Sequence, residues 1–364
     1  MNSLRDSLYE KGLSFDDVLL IPRYSDVESR LHPDISVRIG NTKFYEDLSI
    51  PIISSPMDTV TGHRMAVELG LRGAMGIVHR FMSHEDHAKE LRRASKARSE
   101  HGQYFPLVAA IGVGKDAKER FNHLHSQLGS ELDWIAIDVA NGYSSLMAEM
   151  ISFVREHTSL PIMAGNVATG EGFSFLAEAG ANAVRVGIGG GSICKTRLMT
   201  GFGVPTLASV AHCYKARASL SESLNDVAII ADGGIRYPSD LVKSLAAGAD
   251  AIMAGGIFAG TIETPGDVVN IDGREMKIYR GMASKEVQDD RKGGLRPGTC
   301  AEGVSTYVRV KGKAYYVLEE FSGGLRSGMT YANARTVSEL RENVKFLEIT
   351  RAGLEESHAF GTKV

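Results

Sequence analysis

The chain has 364 residues, with 41 lysines and arginines against 44 aspartates and glutamates, and 43% of it is hydrophobic. A formal charge of −3 excludes a broad basic field for nucleic acid, and no run approaches the ~18 apolar residues of a membrane span. Forty glycines exceed the usual ~7%, so backbone freedom is concentrated somewhere along the chain.

The opening MNSLRDSLYEKGLSF is too polar for a secretory signal, and Cys194, Cys213 and Cys300 are too few for a disulfide framework. A reducing, cytoplasmic setting is expected. Eight apolar, β-prone runs then follow: PIISSPMD (51–58), AMGIVHR (74–80), LVAAIGV (107–113), WIAIDVA (134–140), PIMAGNVAT (161–169), AVRVGI (183–188), VAIIADGGI (227–235) and AIMAGGIFA (251–259). Their hydrophobicity is continuous rather than alternating, which suits strands covered on both faces. The helix-length segments between them imply parallel pairing. Two of those segments, GEGFSFLAEAGANA and PSDLVKSLAAGADA, carry helical spacing and end in the A-G-A turn that a helix C-terminus favours. The expected fold class is α/β, a single (β/α)8 TIM barrel spanning 1–364, with a doubly wound open sheet as runner-up.

Two stretches break this rhythm: an active-site loop at 187–204 after the sixth run, and a long segment from 261 to about 330. The second includes a flap at about 283–312 and precedes a C-terminal helix at TVSELRENVKF. In a barrel both lie at the C-terminal face of the strands, where active sites form.

In the first stretch, Gly189-Gly190-Gly191 lets backbone N–H groups approach a ligand, and Ser192 can donate to a phosphate oxygen. Cys194 follows as a candidate nucleophile, with Lys195 and Arg197 as cations that would favour its thiolate; the plain alternative is a flexible loop with an incidental thiol. Cys213, in helix-like AHCYKARA, reads as a buried small hydrophobe. The glycine steps Gly233-Gly234 and Gly255-Gly256 end the last two strands, where barrels commonly bind phosphate, and Tyr279 offers a further donor. Asp232 would repel a phosphate, so it is expected to accept hydrogen bonds from a ribose diol. Glu302, with the Thr196 hydroxyl, is a candidate proton-transfer pair beside the nucleophile. No HxxxH or CxxC spacing points to a transition metal.

At these residues the chain resembles the IMP dehydrogenase and GMP reductase family. The match runs in order from GLSFDDVLLIPRYS through SSPMDTVT, MGIVHRFMS, AGNV, GIGGGSICKTR, IADGGIR, YRGMAS and LRSGMTY to GLEESH, nearly the whole chain. The resemblance implies a barrel enzyme, usually a homotetramer, whose loop cysteine, here Cys194, attacks C2 of a purine 5′-monophosphate. It implies that Ser192, Gly234, Gly255, Gly256 and Tyr279 hold the phosphate, that Asp232 binds the ribose, and that Met282 and Ser284 lie along the base. Ser55, Met57, Gly233 and Gly281 complete that substrate site. Asp138, Asn141, Gly142 and Asn166 would face the nicotinamide. A potassium ion is implied at Gly189, Gly191 and Cys194, shared with Glu356, Ser357 and His358 of another subunit. Members with CBS modules insert them between the second and third strands, where this chain has only a short connection.

Within the family, four features resemble a GMP reductase using NADPH: a short flap with no Arg-Tyr pair between Met282 and Glu302, the spacing from Gly293-Gly294 to Glu302-Gly303, the DVANGY run at 138–143, and MAGG at the eighth strand. The nearest approach to the missing pair is Arg291-Lys292. SSPMDTVT, LRSGM and the terminal Glu356-Ser357-His358 resemble an IMP dehydrogenase using NAD+, which is the alternative. Gly190, Lys195 and Ala283 depart from the residues usual in the family, and the first two suggest a third reading, a nucleotide-binding barrel without redox turnover. The expectation carried forward is GMP reductase.

Overall fold

The computed structural model describes residues 11–41, 44–292, 294 and 298–358; the opening residues 1–10 and positions 293 and 295–297 of the flap lie outside the described residues. Strands are numbered in chain order: β1 Val18–Leu20, β2 Val37–Asn41, β3 Phe44–Leu48, β4 Ile52–Ser54, β5 Met75–Val78, β6 Val108–Ile111, β7 Trp134–Asp138, β8 Ile162–Val167, β9 Ala183–Val186, β10 Ala228–Asp232, β11 Ala251–Ala254, β12 Val269–Ile271, β13 Arg274–Arg280, β14 Ser305–Arg309 and β15 Phe346–Glu348.

Strands β4 to β11 close into an eight-stranded barrel in chain order, every pairing parallel, with β11 returning to β4. This is the expected TIM barrel, and each of the eight apolar runs supplies one strand. The alternation within β7 shows why those runs look uniformly apolar: Trp134 and Ala136 belong to the cluster inside the barrel, while Ile135 and Ile137 pack outward under the helices. The connection from β5 to β6 is the helix His84–His101. Helices Gly170–Glu178 and Pro238–Ala247 end at the A-G-A turns, where Gly180 and Gly248 take φ of +106° and +122°.

The stretch from 261 to about 330 is more ordered than its composition implies. It contains the antiparallel sheet β12-β13-β14, the helix Lys285–Lys292 and the 18-residue helix Ala314–Tyr331. The last packs against helices Pro238–Ala247 and His63–Leu71, so it is the eighth helix of the barrel rather than part of a loop. Its apolar face is diluted in the sequence by Gly323, Gly324 and Gly328, of which the last two allow close approach: a Cβ at Gly324 would come within 2.3 Å of Pro238 and one at Gly328 within 2.9 Å of Val242. The helix at TVSELRENVKF is the short Val337–Asn343.

Two further parts frame the barrel. The β2-β3 hairpin plugs its N-terminal end, with Ile39 and Leu48 inside the same cluster as Trp134, Met163 and Met253. The pair β1-β15 joins the two ends of the chain. Among the described residues, no helix is long and apolar enough to cross a membrane.

Candidate active site

The C-terminal rim begins at Gly187, directly after β9. Its φ is +144°, and a Cβ there would fall 2.0 Å from the Asp232 carbonyl oxygen, so glycine alone lets β9 and β10 exit side by side. The loop that follows is tied to itself by a bridge between Ile188 and Val204 and by Arg197, whose guanidinium donates to the carbonyls of Val204 (2.6 Å) and Ile188 (3.4 Å). Arg197 is thus a staple of the loop backbone, not the thiolate-stabilising cation expected from its proximity in sequence.

The returning limb of the flap is stitched onto this loop. Cys194 bridges Gly303, the Lys195 N–H donates to the Glu302 carbonyl at 2.6 Å, and the Val304 N–H donates to that of Ile193 at 3.1 Å. This seam sets three side chains in a row. The Cys194 thiol donates to Thr196 Oγ1 at 3.2 Å, and the Thr196 hydroxyl donates to Glu302 Oε2 at 2.7 Å. Cys194 is half-buried, whereas Cys213 is sealed and burial pushes its thiol far up; Cys300 is exposed. A half-open thiol in contact with a hydroxyl-carboxylate pair can attack an electrophilic carbon while a proton moves along the chain.

Beside the thiol, four loops converge. Ser192 Oγ and Tyr279 Oη lie 3.2 Å apart, and a Cβ at Gly256 would sit 3.2 Å from the first and 3.7 Å from the second. A Cβ at Gly255 would crowd Met57 Sδ at 2.9 Å, and one at Gly233 would crowd the Gly191 nitrogen at 3.1 Å. Gly233 and Gly234 both take positive φ. Tyr279 is buried, and burial raises its phenol above the ordinary value, so it remains a protonated donor. Two hydroxyls among side-chain-free backbone form a cradle suited to an anion.

The other substrate candidates separate into two sets. Ser55 is buried with its N–H on the Ala254 carbonyl, and Met57 follows it in the exit from β4. Met282 Sδ accepts from the Asp58 N–H at 3.4 Å, and Gly281 lies against Ile193 and Gly303. Ser284 bridges Gly303, as Cys194 does, and is fully enclosed, with its hydroxyl accepting from the Val287 N–H at the start of helix Lys285–Lys292.

The nicotinamide candidates lie on the exits of β7 and β8. The Gly142 N–H donates to the Asn166 carbonyl at 2.6 Å, and the Asn141 side-chain oxygen is taken by the Tyr143 N–H. Asp138 and Asp232 are joined by a residue the sequence reading passed over. Arg185, 6% exposed on β9, donates to Asp138 Oδ1 at 2.5 Å and to Asp232 Oδ2 at 2.8 Å, and Asn166 Nδ2 donates to the same Asp232 oxygen at 2.8 Å. One Asp232 oxygen is therefore already committed within the protein. A signal for Arg185 existed, since an arginine inside the apolar run AVRVGI must be buried with carboxylate partners.

No described hydrogen bond joins the potassium candidates of the loop, Gly189, Gly191 and Cys194, to Glu356, Ser357 and His358 within the chain. The Gly191 carbonyl accepts from Cys194 N–H, and Gly189 lies under the Arg197 side chain. Glu356, Ser357 and His358 end the exposed helix Arg351–Glu356, where the Ser357 hydroxyl donates to the Gly353 carbonyl. Among the described residues, no group of three or more His, Cys, Asp and Glu is placed to hold a metal ion.

Comparison with known proteins gives the family. A family model described as IMP dehydrogenase / GMP reductase domain matches residues 12–360. Inosine-5′-monophosphate dehydrogenases from Borreliella burgdorferi, Aquifex aeolicus and Cryptosporidium parvum are 33%, 31% and 34% identical; the alignments cover 97%, 98% and 97% of this chain and 98%, 96% and 96% of those proteins. The Aquifex alignment runs over 484 positions, so well over a hundred of them have no counterpart here. The chain belongs to the IMP dehydrogenase and GMP reductase family of oxidoreductases.

Proposed function

We propose that this protein is a GMP reductase that converts GMP to IMP and ammonia at the expense of NADPH. The observation that carries the direction is the Cys194–Thr196–Glu302 row, combined with a flap that has no Arg-Tyr pair between Met282 and Glu302. A dehydrogenase must hydrolyse its covalent adduct and needs a group to activate water. A reductase needs instead a proton donor for a departing amine, and Glu302 acting through Thr196 fills that role.

In this reading the anion cradle of Ser192, Tyr279, Gly234, Gly255 and Gly256 holds the 5′-phosphate, and the free oxygen of Asp232 takes the ribose. Cys194 sulfur bonds to C2 of the purine, and its proton passes toward Thr196. The C2–N bond then breaks, and ammonia leaves with a proton delivered along the Glu302–Thr196 pair. A reduced nicotinamide, when bound, would supply the hydride that C2 receives as the carbon–sulfur bond breaks; IMP leaves, and the Cys194 thiolate takes up a proton from water to restore the thiol. The residues fit such a group: Asp138 Oδ2, which faces the Arg80 guanidinium at 3.8 Å, accepts, and the tight Asn141-Gly142 turn presents backbone without a side chain in the way. The same reading takes the molecule as a homotetramer, in which Leu198, Met199 and Phe202, exposed on the active-site loop, gain cover.

A second reading, IMP dehydrogenase, is favoured by the names of the similar proteins, which match over nearly their whole length. One assay separates the two. Protein is mixed with GMP plus NADPH, or with IMP plus NAD+, and nicotinamide absorbance is followed. Oxidation of NADPH in the first mixture, with ammonia released, is expected; reaction of the second mixture alone makes the protein a dehydrogenase. Silence in both, with GMP still bound, makes it a nucleotide-binding barrel without turnover.

A further inference from the structure

Arg185 touches both halves of the candidate site while standing in neither. Its Nη1 donates to Asp138, at the end of β7, and its Nη2 and Nε both donate to Oδ2 of Asp232, at the end of β10. These strands are three places apart in the barrel, and room for the side chain to pass is made at Gly165, where a Cβ would come within 2.6 Å of the Arg185 Cβ. Asn166 extends the network by donating to Asp232 and to the Gly187 carbonyl at the base of the catalytic loop. Each carboxylate gives one oxygen to the guanidinium; the other oxygen of Asp138 faces the Arg80 guanidinium at 3.8 Å, and the other oxygen of Asp232 makes no hydrogen bond among the described residues.

We infer that Arg185 is a positioning residue that couples nucleotide and dinucleotide binding, so that filling one position raises affinity for the other. This rests on the assignment of Asp232 to the ribose and Asp138 to the nicotinamide side under Proposed function. The physical reason is the rigid planar fork. Its N–H groups point in fixed directions, so a ligand that orients one carboxylate also orients the guanidinium and, through it, the second carboxylate. The first ligand thus meets the ordering cost that the second would otherwise face. A lysine ammonium keeps the charge but cannot hold both acids in one plane.

IMP and NADPH form a pair that cannot react in either direction, so their binding can be measured on the wild-type protein by calorimetry. IMP affinity is expected to rise about 5- to 20-fold when NADPH is saturating, within the usual range of coupling between sites. In Arg185→Lys each ligand should still bind alone, with the enhancement falling to less than about twofold. A folded Arg185→Lys protein with full enhancement, or a wild type that binds both ligands with none, overturns the inference while leaving the functional reading standing. A wild type that binds no IMP overturns both. Should Arg185→Lys not fold, Asp138→Asn carries the test: IMP affinity without dinucleotide is expected to fall several-fold although position 138 faces the other ligand, and unchanged affinity overturns the coupling.

Discussion

At the N-terminal end of the barrel, Ile39 and Leu48 of the hairpin are buried among Trp134, Met163 and Met253. At the C-terminal end the same strands run out into Asp138, Asn166, Arg185 and Asp232, held by paired charges and directed hydrogen bonds. The plug is stabilised by non-directional burial, worth roughly 2–3 kcal/mol per large side chain, and tolerates small changes of shape. The rim depends on partners at fixed distances, where loss of one member leaves another buried and unpaired. One end is therefore suited to stability and the other to chemistry, although they are only one strand length apart.

This contrast can be broken at either end. The largest effect is expected from Cys194→Ala, which should lower turnover by at least about a thousandfold while GMP still binds, as measured by steady-state rates beside equilibrium binding. Turnover that survives removes the covalent route. Next, Glu302→Gln keeps the hydrogen-bond acceptor for Thr196 but not the ionisable group, so ammonia release should slow by about a hundredfold or more. Rapid-quench measurement should find hydride transfer from a preformed adduct less affected, and equal slowing of both steps would move Glu302 out of the proton path.

At the plugged end, Ile39→Ala should cost about 2–4 kcal/mol in urea unfolding, with unchanged kcat per folded molecule. A large change in kcat would show that the two ends are not independent. The smallest effect concerns Glu46 on β3. Burial pushes its carboxyl up to about 7, against a hydrogen bond from the Tyr104 hydroxyl at 3.0 Å. The folded protein then holds this proton where the unfolded chain, at the ordinary value of 4.5, has lost it. Stability from this group is present in full below about pH 4.5 and is lost as the pH rises toward 7. Glu46→Gln should flatten that part of the Tm-against-pH curve, and an identical slope in both proteins would remove Glu46 as its source.

The eight strands, the glycine-marked exits, Cys194 and the pairing of Thr196 with Glu302 were all legible in the sequence. Each depends on a pattern local to a few residues or on a residue type with few structural uses. For Arg185 the run AVRVGI signals only a buried arginine in need of carboxylates; which carboxylates was not legible, because they lie 47 residues away on either side. Arg197 was read by its neighbourhood in the chain, but its guanidinium turns to loop carbonyls.

What the sequence by itself determined is the barrel and the positions of its chemical groups, since hydrophobic period and glycine placement report how each segment meets solvent and how sharply it can turn. Only the tertiary structure decided which groups face one another. The seam between the flap and the loop at 187–204, the Arg185 fork, the plug at the closed end and the eighth helix at 314–331 all arise from contacts between distant segments, and the energy of such a pair depends on distance and burial that no single segment carries.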